Sequence, residues 1–420
     1  MVKDLRGRAE KRRVRTVARH SNDVALVAVA LLISVYIALS ATSLGDYPAD
    51  GGPALATLLQ GNLHAFALAR PLMGALSLLV RAPFAEIAYI GHATELSVYR
   101  WGVLPCVTSV AVLSLWLVRL ARSRGTGPAG QWAIVLVSLV NPLSASAIAL
   151  GHPEELLTAS LCTGALVAAL ERRGPLSALL LGLALACKQW SLVTILPVLL
   201  ALDRGRLRAL LGALAVAAIV SVPEMVGAPV TYLQNQLSLA RHQGRAPSSW
   251  SWWWLLGRNT TLHLVVAGAK TSIVERRLPS ALAHWLRSLV ILVDLLVAAI
   301  VARVRRLPLR SDDAFALMAV VLLLRCTLDS ESTVYYHVPL LLDLLAWDAI
   351  RGERVPIRAL AATAVAYLLF DRLPASFAGA PASLLYDGCT AVCLILLLRT
   401  LSRRPARSSQ PIGPPLAATA

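Results

Sequence analysis

VALVAVALLISVYIALS, residues 24–40, decides the fold of this chain. The stretch is apolar on nearly every face and shows no alternation of period two, which marks a helix and excludes a barrel strand. It is also long enough to cross a bilayer core, which takes roughly 20 residues per helical pass. Runs of the same kind, such as Leu289 to Val301 with Asp294 as its one charge, recur along most of the 420 residues. The composition agrees, with 57% apolar and 15% charged residues and a mean hydropathy of +0.66. A soluble domain carries more charge than this. The expected fold is an all-α, polytopic membrane helix bundle.

Ahead of that stretch lie Lys3, Arg6, Arg8, Lys11, Arg12, Arg13 and Arg15. A basic segment before an apolar run also opens a signal peptide. Here the run is of spanning length and ends in Gly45-Asp46-Tyr47-Pro48 without a small-residue cleavage site, so it reads as a retained first helix. Short basic loops resist translocation, which places the N-terminus in the cytoplasm. The net charge of +17 falls largely in short runs between apolar segments, a pattern of membrane topology rather than of nucleic-acid binding. Those runs mark cytoplasmic loops at Arg119 to Arg124, Glu171 to Arg173, Arg204 to Arg208, Arg303 to Arg310 and Arg351 to Arg358, and a tail at Arg403 to Arg407. Both termini then lie inside and the number of spans is even, about twelve at roughly 20 residues per crossing, with ten as the alternative. The organisation expected is a basic N-terminus (residues 1–22), one transmembrane domain (residues 23–402) and a disordered cytoplasmic tail (residues 403–420), rich in Pro and Ser.

The polar residues gather in four outer segments, near 43–99, 141–155, 227–286 and 325–336. In the first, Asp46 and Asp50 precede two stretches (Pro53 to Gln60 and Pro71 to Phe84) patterned for short helices lying in the interface. An aspartate there either caps a helix or does chemistry at the membrane surface. The second holds Gly151-His152-Pro153-Glu154-Glu155, where proline and two acids suit a helix N-terminus and His152 and Glu154 suit a polar ligand. Between cytoplasmic markers lie two apolar runs too short to cross comfortably, Leu176 to Cys187 and Leu192 to Leu202. The chain must go out and return there, with Lys188 at the turn, either snorkelling or meeting an anion. The third segment combines Arg241 and Arg245 with Trp250, Trp252, Trp253 and Trp254. Tryptophans form membrane-interface belts, whereas outward-facing arginines gain nothing from topology and suit a phosphate. The fourth packs Asp329, Tyr335, Tyr336 and His337 at the mouth of the next span. Cys106, Cys162, Cys187, Cys326, Cys389 and Cys393 show no metal-ligand spacing, so no zinc site and no disulfide are expected.

Gly151-His-Pro-Glu-Glu155, Ala186-Cys-Lys188-Gln-Trp190 and Val334-Tyr-Tyr-His337-Val-Pro339, on a layout of first span, aspartate-bearing outer loop, interfacial helices and further spans, resemble glycosyltransferase family 87. More narrowly, they look like the actinobacterial branch of that family, which lies within the GT-C superfamily and includes polyprenol-phosphate-mannose-dependent α-mannosyltransferases. The resemblance implies transfer of a sugar, mannose by preference, from a polyprenyl-phosphate donor to a glycolipid or glycan hydroxyl. The reaction would run with inversion, at the outer face of the cell membrane, in cell-envelope synthesis. It implies Asp50, or else Asp46, as the base, Lys188, Arg241 and Arg245 on the donor phosphate, and His152, Glu154, Tyr336 and His337 on sugar or acceptor. No metal and no cofactor are expected beyond the lipid-linked sugar, and no nucleic-acid partner. A transporter or lipid flippase is the alternative; against it, the broken pair around Lys188 has no mate in the second half.

Overall fold

In a computed structural model, residues 2–69, 71, 73–241, 246–266, 269–373 and 379–403 are described. The deciding stretch forms the second half of α1 (Val2–Leu39). The outer segment after it holds α2 (Gly52–Leu59), α3 (Leu63–Leu68) and α4 (Ala75–Ile90), so the patterned stretches do form short helices. Then come α5 (Glu95–Ser123), α6 (Pro128–Leu139), α7 (Pro142–Ala149) and α8 (Glu154–Leu170). Next, α9 (Gly174–Cys187) breaks at Lys188, whose backbone is extended, and a 3-10 turn (Gln189–Thr194) leads into α10 (Ile195–Ala201). Helices α11 (Arg206–Val220), α12 (Val222–Gly227) and α13 (Pro229–Arg241) follow. After a hairpin come α14 (Ser280–Val304), α15 (Ser311–Leu328), a 3-10 turn (Val334–His337), α16 (Val338–Arg351), α17 (Ile357–Tyr367) and α18 (Ala380–Ser402). Among the described residues four helical stretches are long and apolar enough to cross a membrane: Ser21–Leu39, Glu95–Ser123, Pro128–Ala149 and Ala380–Ser402.

The hairpin is an element the sequence reading did not contain. Strands β1 (Arg258–Val266) and β2 (Ala269–Arg277) pair antiparallel from Arg258 opposite Arg277 to Val266 opposite Ala269, within the third outer segment. Among the described residues the remaining regular elements are helical.

Burial runs from the centre outward in the reverse of a soluble protein's polarity. Helices α8, α15 and α16 are buried along nearly their whole length. Around them α1, α11, α14 and α18 turn large apolar side chains outward, among them Leu32, Tyr36, Leu207, Ile219, Leu292, Leu296, Val392 and Leu396. Contiguous apolar surface of this extent suits lipid, not water.

The helices connect two chemically different ends. At one end Arg122 of α5 pairs with Asp23 of α1, Gly352 lies against Arg124, and Gly130 against the Arg354 carbonyl. Arg351 pairs with Asp312 at 3.1 Å, Arg305 with Asp313 at 3.2 Å, and Arg305 also donates to the Arg403 carbonyl at 2.7 Å. Arg122 and Arg124, Arg305, Arg351 and Arg354, and Arg403, from runs expected in cytoplasmic loops and tail, thus fall at this end. At the other end Arg100 donates to the Ala41 carbonyl at 2.8 Å, and the Asp46 and Gly74 amides donate to Leu150 and Cys187 at 3.0 and 2.8 Å. The segments near 43–99 and 141–155, expected on the outer side, therefore meet there with the break at Lys188.

Candidate functional site

Two glycines allow the aspartate loop to cross the loop before α8. Gly151 has φ +89°, and a Cβ on it would stand 2.6 Å from both the Leu44 carbonyl oxygen and the Tyr47 nitrogen; Gly45 has φ +51° and lies as tightly against Leu150. A side chain at either position would push the loops apart. Their contact sets Asp46 and Asp50 beside His152. Capping of the next helix by an aspartate is excluded, because Gly51 is the N-cap of α2 and no side chain bonds there.

From that crossing a run of alternating charges leads into the bundle. His152 Nε2 is 3.4 Å from Asp46 Oδ2 and 3.9 Å from Asp50 Oδ2; the Asp46 side chain is 68% exposed and that of Asp50 is 13% exposed. Asp50 is thus the sheltered carboxylate and Asp46 the solvated one. His152 Nδ1 donates to Glu154 Oε1 at 3.1 Å, which fixes the ring with Nε2 toward the aspartates. Glu154 Oε1 also accepts from Lys188 Nζ at 2.8 Å. Lys188 reaches Glu155 at 3.7 Å, and the other Glu155 oxygen faces Arg325 Nη2 at 3.6 Å. The Arg325 guanidinium is held 4.3 Å from the ring centroids of Trp190 and Tyr336. Tyr335 lies beside the imidazole, its ring centroid 4.6 Å from that of His152.

These neighbours move the proton affinities. Burial raises the pKa of Asp50, helped by the charges of Glu154 and Asp46 and opposed by His152 and Lys188. Burial pulls His152 down, but the hydrogen bond and charge of Glu154 outweigh it, so its pKa is raised. Lys188 likewise stays charged despite burial, because Glu154 and Glu155 face it. A carboxylate lifted above its ordinary range beside an oriented imidazole is suited to taking a proton.

Of the residues singled out in the sequence, Asp46, Asp50, His152, Glu154 and Lys188 come together. The Glu154 carboxylate is wholly buried and faces His152, Lys188 and Arg81. Tyr336 lies on Arg325. His337 faces away from the charges, with Nδ1 donating to the Val334 carbonyl at 3.2 Å and Nε2 accepting from the Tyr386 hydroxyl at 3.1 Å. The Arg241 side chain and all of Arg245 lie outside the described residues. Sequence reasoning passed over Arg81, Arg325, Glu155 and Tyr335 as site residues. For Arg325 the available signal was a lone cation ending an otherwise apolar span. Among the described residues no group of three His, Cys, Asp or Glu side chains is placed to hold a metal ion.

Comparison with known proteins gives one positive finding. The model of glycosyltransferase family 87 matches residues 74–328. That interval runs from just before α4 to the end of α15, taking in His152, Glu154, Glu155, Lys188 and Arg325, while Asp46 and Asp50 precede it. No curated protein matches the chain.

Proposed function

Since the chain belongs to glycosyltransferase family 87, matched over more than half its length, and is a glycosyltransferase of the GT-C superfamily, we propose that its donor is a polyprenyl-phosphate sugar, mannose first among the candidates. The acceptor is a glycolipid or glycan hydroxyl of the cell envelope, and transfer inverts the anomeric centre. The similarity of the motifs to the actinobacterial mannosyltransferase branch supports this choice of donor.

In this reading Asp50 takes the acceptor proton as the hydroxyl oxygen attacks the anomeric carbon. The bond from that carbon to the phosphate oxygen breaks on the opposite side, and its electron pair leaves with the polyprenyl phosphate. His152, oriented by Glu154, holds the Asp50 carboxylate and carries positive charge beside it. Lys188, between Glu154 and Glu155 in the charged run, stabilises the leaving phosphate together with Arg241 and Arg245 of the third outer segment. Tyr336 and His337 shape the wall on the sugar side, and Asp46 is the competing base. The observation that carries this reading is the sheltered Asp50 beside a His152 fixed by Glu154 at one end of the bundle.

That end is the outer face, the opposite basic end is cytoplasmic, and both termini are inside. Helical passes run alternately between the two ends, making about twelve crossings of one transmembrane domain, 23–402, at roughly 20 residues each. The helices of the first outer segment lie in the interface.

Proteoliposomes holding the protein and a glycolipid acceptor test the donor. A labelled polyprenyl-phosphate mannose is expected to yield glycosylated product, and a labelled nucleotide sugar none. Product from the nucleotide sugar alone contradicts the lipid-linked donor.

A further inference from the structure

Arg81 of α4 is wholly buried, yet none of its three side-chain nitrogens makes a hydrogen bond. Its surroundings are specific. The guanidinium carbon lies 5.2 Å from the ring centroid of Tyr47 and 5.8 Å from that of Tyr99, and these rings are 4.9 Å apart. Gly102 of α5 lies beside it, where a Cβ would stand in ordinary contact with Arg81 Nε at 3.4 Å. Arg81 Nη1 faces Glu154 Oε2 at 3.9 Å, and that oxygen also lacks a hydrogen bond. A buried cation held by two aromatic faces and one carboxylate is costly to keep, and is worth keeping for its action on those neighbours.

Those neighbours lead to the two halves of the proposed catalytic pair. Tyr47 is the covered residue of the aspartate loop, 2% exposed between the exposed Asp46 and the sheltered Asp50. Its amide donates to Leu44 and its carbonyl accepts from Gly52 at 3.0 and 2.7 Å, so moving the ring moves the loop. Glu154 holds the Nδ1 side of His152. We infer that Arg81 is a positioning residue for Asp50 and His152, setting the loop through Tyr47 and the imidazole through its charge on Glu154. This deepens the proposed function and rests on the reading of that pair.

The charged and titratable groups facing the pair are Asp46 on its own loop, Glu154 and Glu155 of α8, Lys188 at the break after α9, Tyr335 of the turn before α16, and Arg81 of α4 behind Glu154. Tyr99 and Cys106 of α5 flank Arg81 itself. Loss of the Arg81 charge leaves Glu154 less compensated and the field at Asp50 less positive. Both changes push proton affinity upward.

The test follows the His152 imidazole by NMR of histidine-labelled full-length protein in nanodiscs, with its signal assigned by its loss in His152→Gln. The pH profile of transfer is measured in parallel. Arg81→Met is expected to raise the His152 midpoint and the acid limb of kcat by about half a unit or more, with KM little changed. Arg81→Gln serves the same purpose if the methionine variant does not fold. Arg81→Lys, which keeps the charge, is expected to hold the midpoint near that of the parent protein while transfer falls through the lost contact with Tyr47. An unmoved midpoint and limb in the neutral variants, however much activity is lost, overturns the inference. So does a lysine variant that shifts as far as they do. The titration needs no turnover, so it remains readable if Asp50→Asn transfers normally and the catalytic reading itself fails.

Discussion

Asp50 stands 3.9 Å from His152 with little of its carboxylate in solvent, and Asp46 stands 3.4 Å from the same nitrogen with most of its carboxylate exposed. The shelter of Asp50 lets the site set its proton affinity. Asp50 is raised by burial first and by the charges of Glu154 and Asp46 next. A base works deprotonated, so transfer is lost as pH falls through a pKa above the ordinary carboxylate range. Asp46→Asn removes one of the charges that raise it. The acid limb of transfer is therefore expected to move to lower pH, read from kcat against pH; a limb moving upward contradicts the assignment. Arg325 gives a prediction about stability. Its charge is buried against Glu155, and removing one partner of such a pair costs about 3–5 kcal/mol. Arg325→Met is expected to unfold at markedly lower temperature in detergent, and Arg325→Met with Glu155→Leu to recover most of the loss. The sequence made Asp46, Asp50, His152, Glu154 and Lys188 legible because polar groups beside apolar spans need a reason. Arg325 was hidden because a cation in the last turn of a helix already has one, snorkelling, and Arg81 because a cation inside a short amphipathic helix reads as part of its polar face; Glu155 and Glu154, which they face, lie far along the chain.

At the scale of elements, the site depends on loops that cross, not on a helix face. The loop before α2 and the loop before α8 touch at Gly45 and Gly151, and Gly74 brings the start of α4 against the break at Lys188, its amide bonded to the Cys187 carbonyl. Gly151→Ala would strain a backbone at φ +89°, by about 1–3 kcal/mol, and press a methyl group onto Leu44 and Tyr47. Transfer is expected to fall steeply while the bundle, which lies elsewhere, keeps its helicity by circular dichroism; retained transfer contradicts the crossing as the device that places Asp50. The interruption at Lys188 was legible because its flanking apolar runs are each too short to span. The hairpin was not. Its run from Arg258 to Arg277 has the β-branched residues of strands, but it lies in a long polar segment between two spans, where hydropathy carries no information about local structure.

At the scale of the molecule, one end gathers the basic turns and the other gathers the aspartates, His152, Lys188 and the turn before α16. That separation was legible in the order of basic runs along the sequence, because every second connection carries them. The packing order of the helices was not, since apolar surfaces of similar shape do not name their partners. With the site end outside, Ser43→Cys is expected to react with a membrane-impermeant maleimide added to intact cells, and Arg204→Cys only after permeabilisation; the reverse pattern would place the chemistry in the cytoplasm. Asp50 is proposed to take the proton of an acceptor hydroxyl at the outer face during sugar transfer from a lipid phosphate. The most direct test of that role is the turnover of labelled polyprenyl-phosphate mannose by purified, reconstituted Asp50→Asn protein. A fall of roughly 100-fold or more, the scale of a lost general base, with donor binding retained, is the predicted result. Undiminished turnover by Asp50→Asn, with Asp46→Asn inactive, would move the base to Asp46, and undiminished turnover by both would contradict the mechanism.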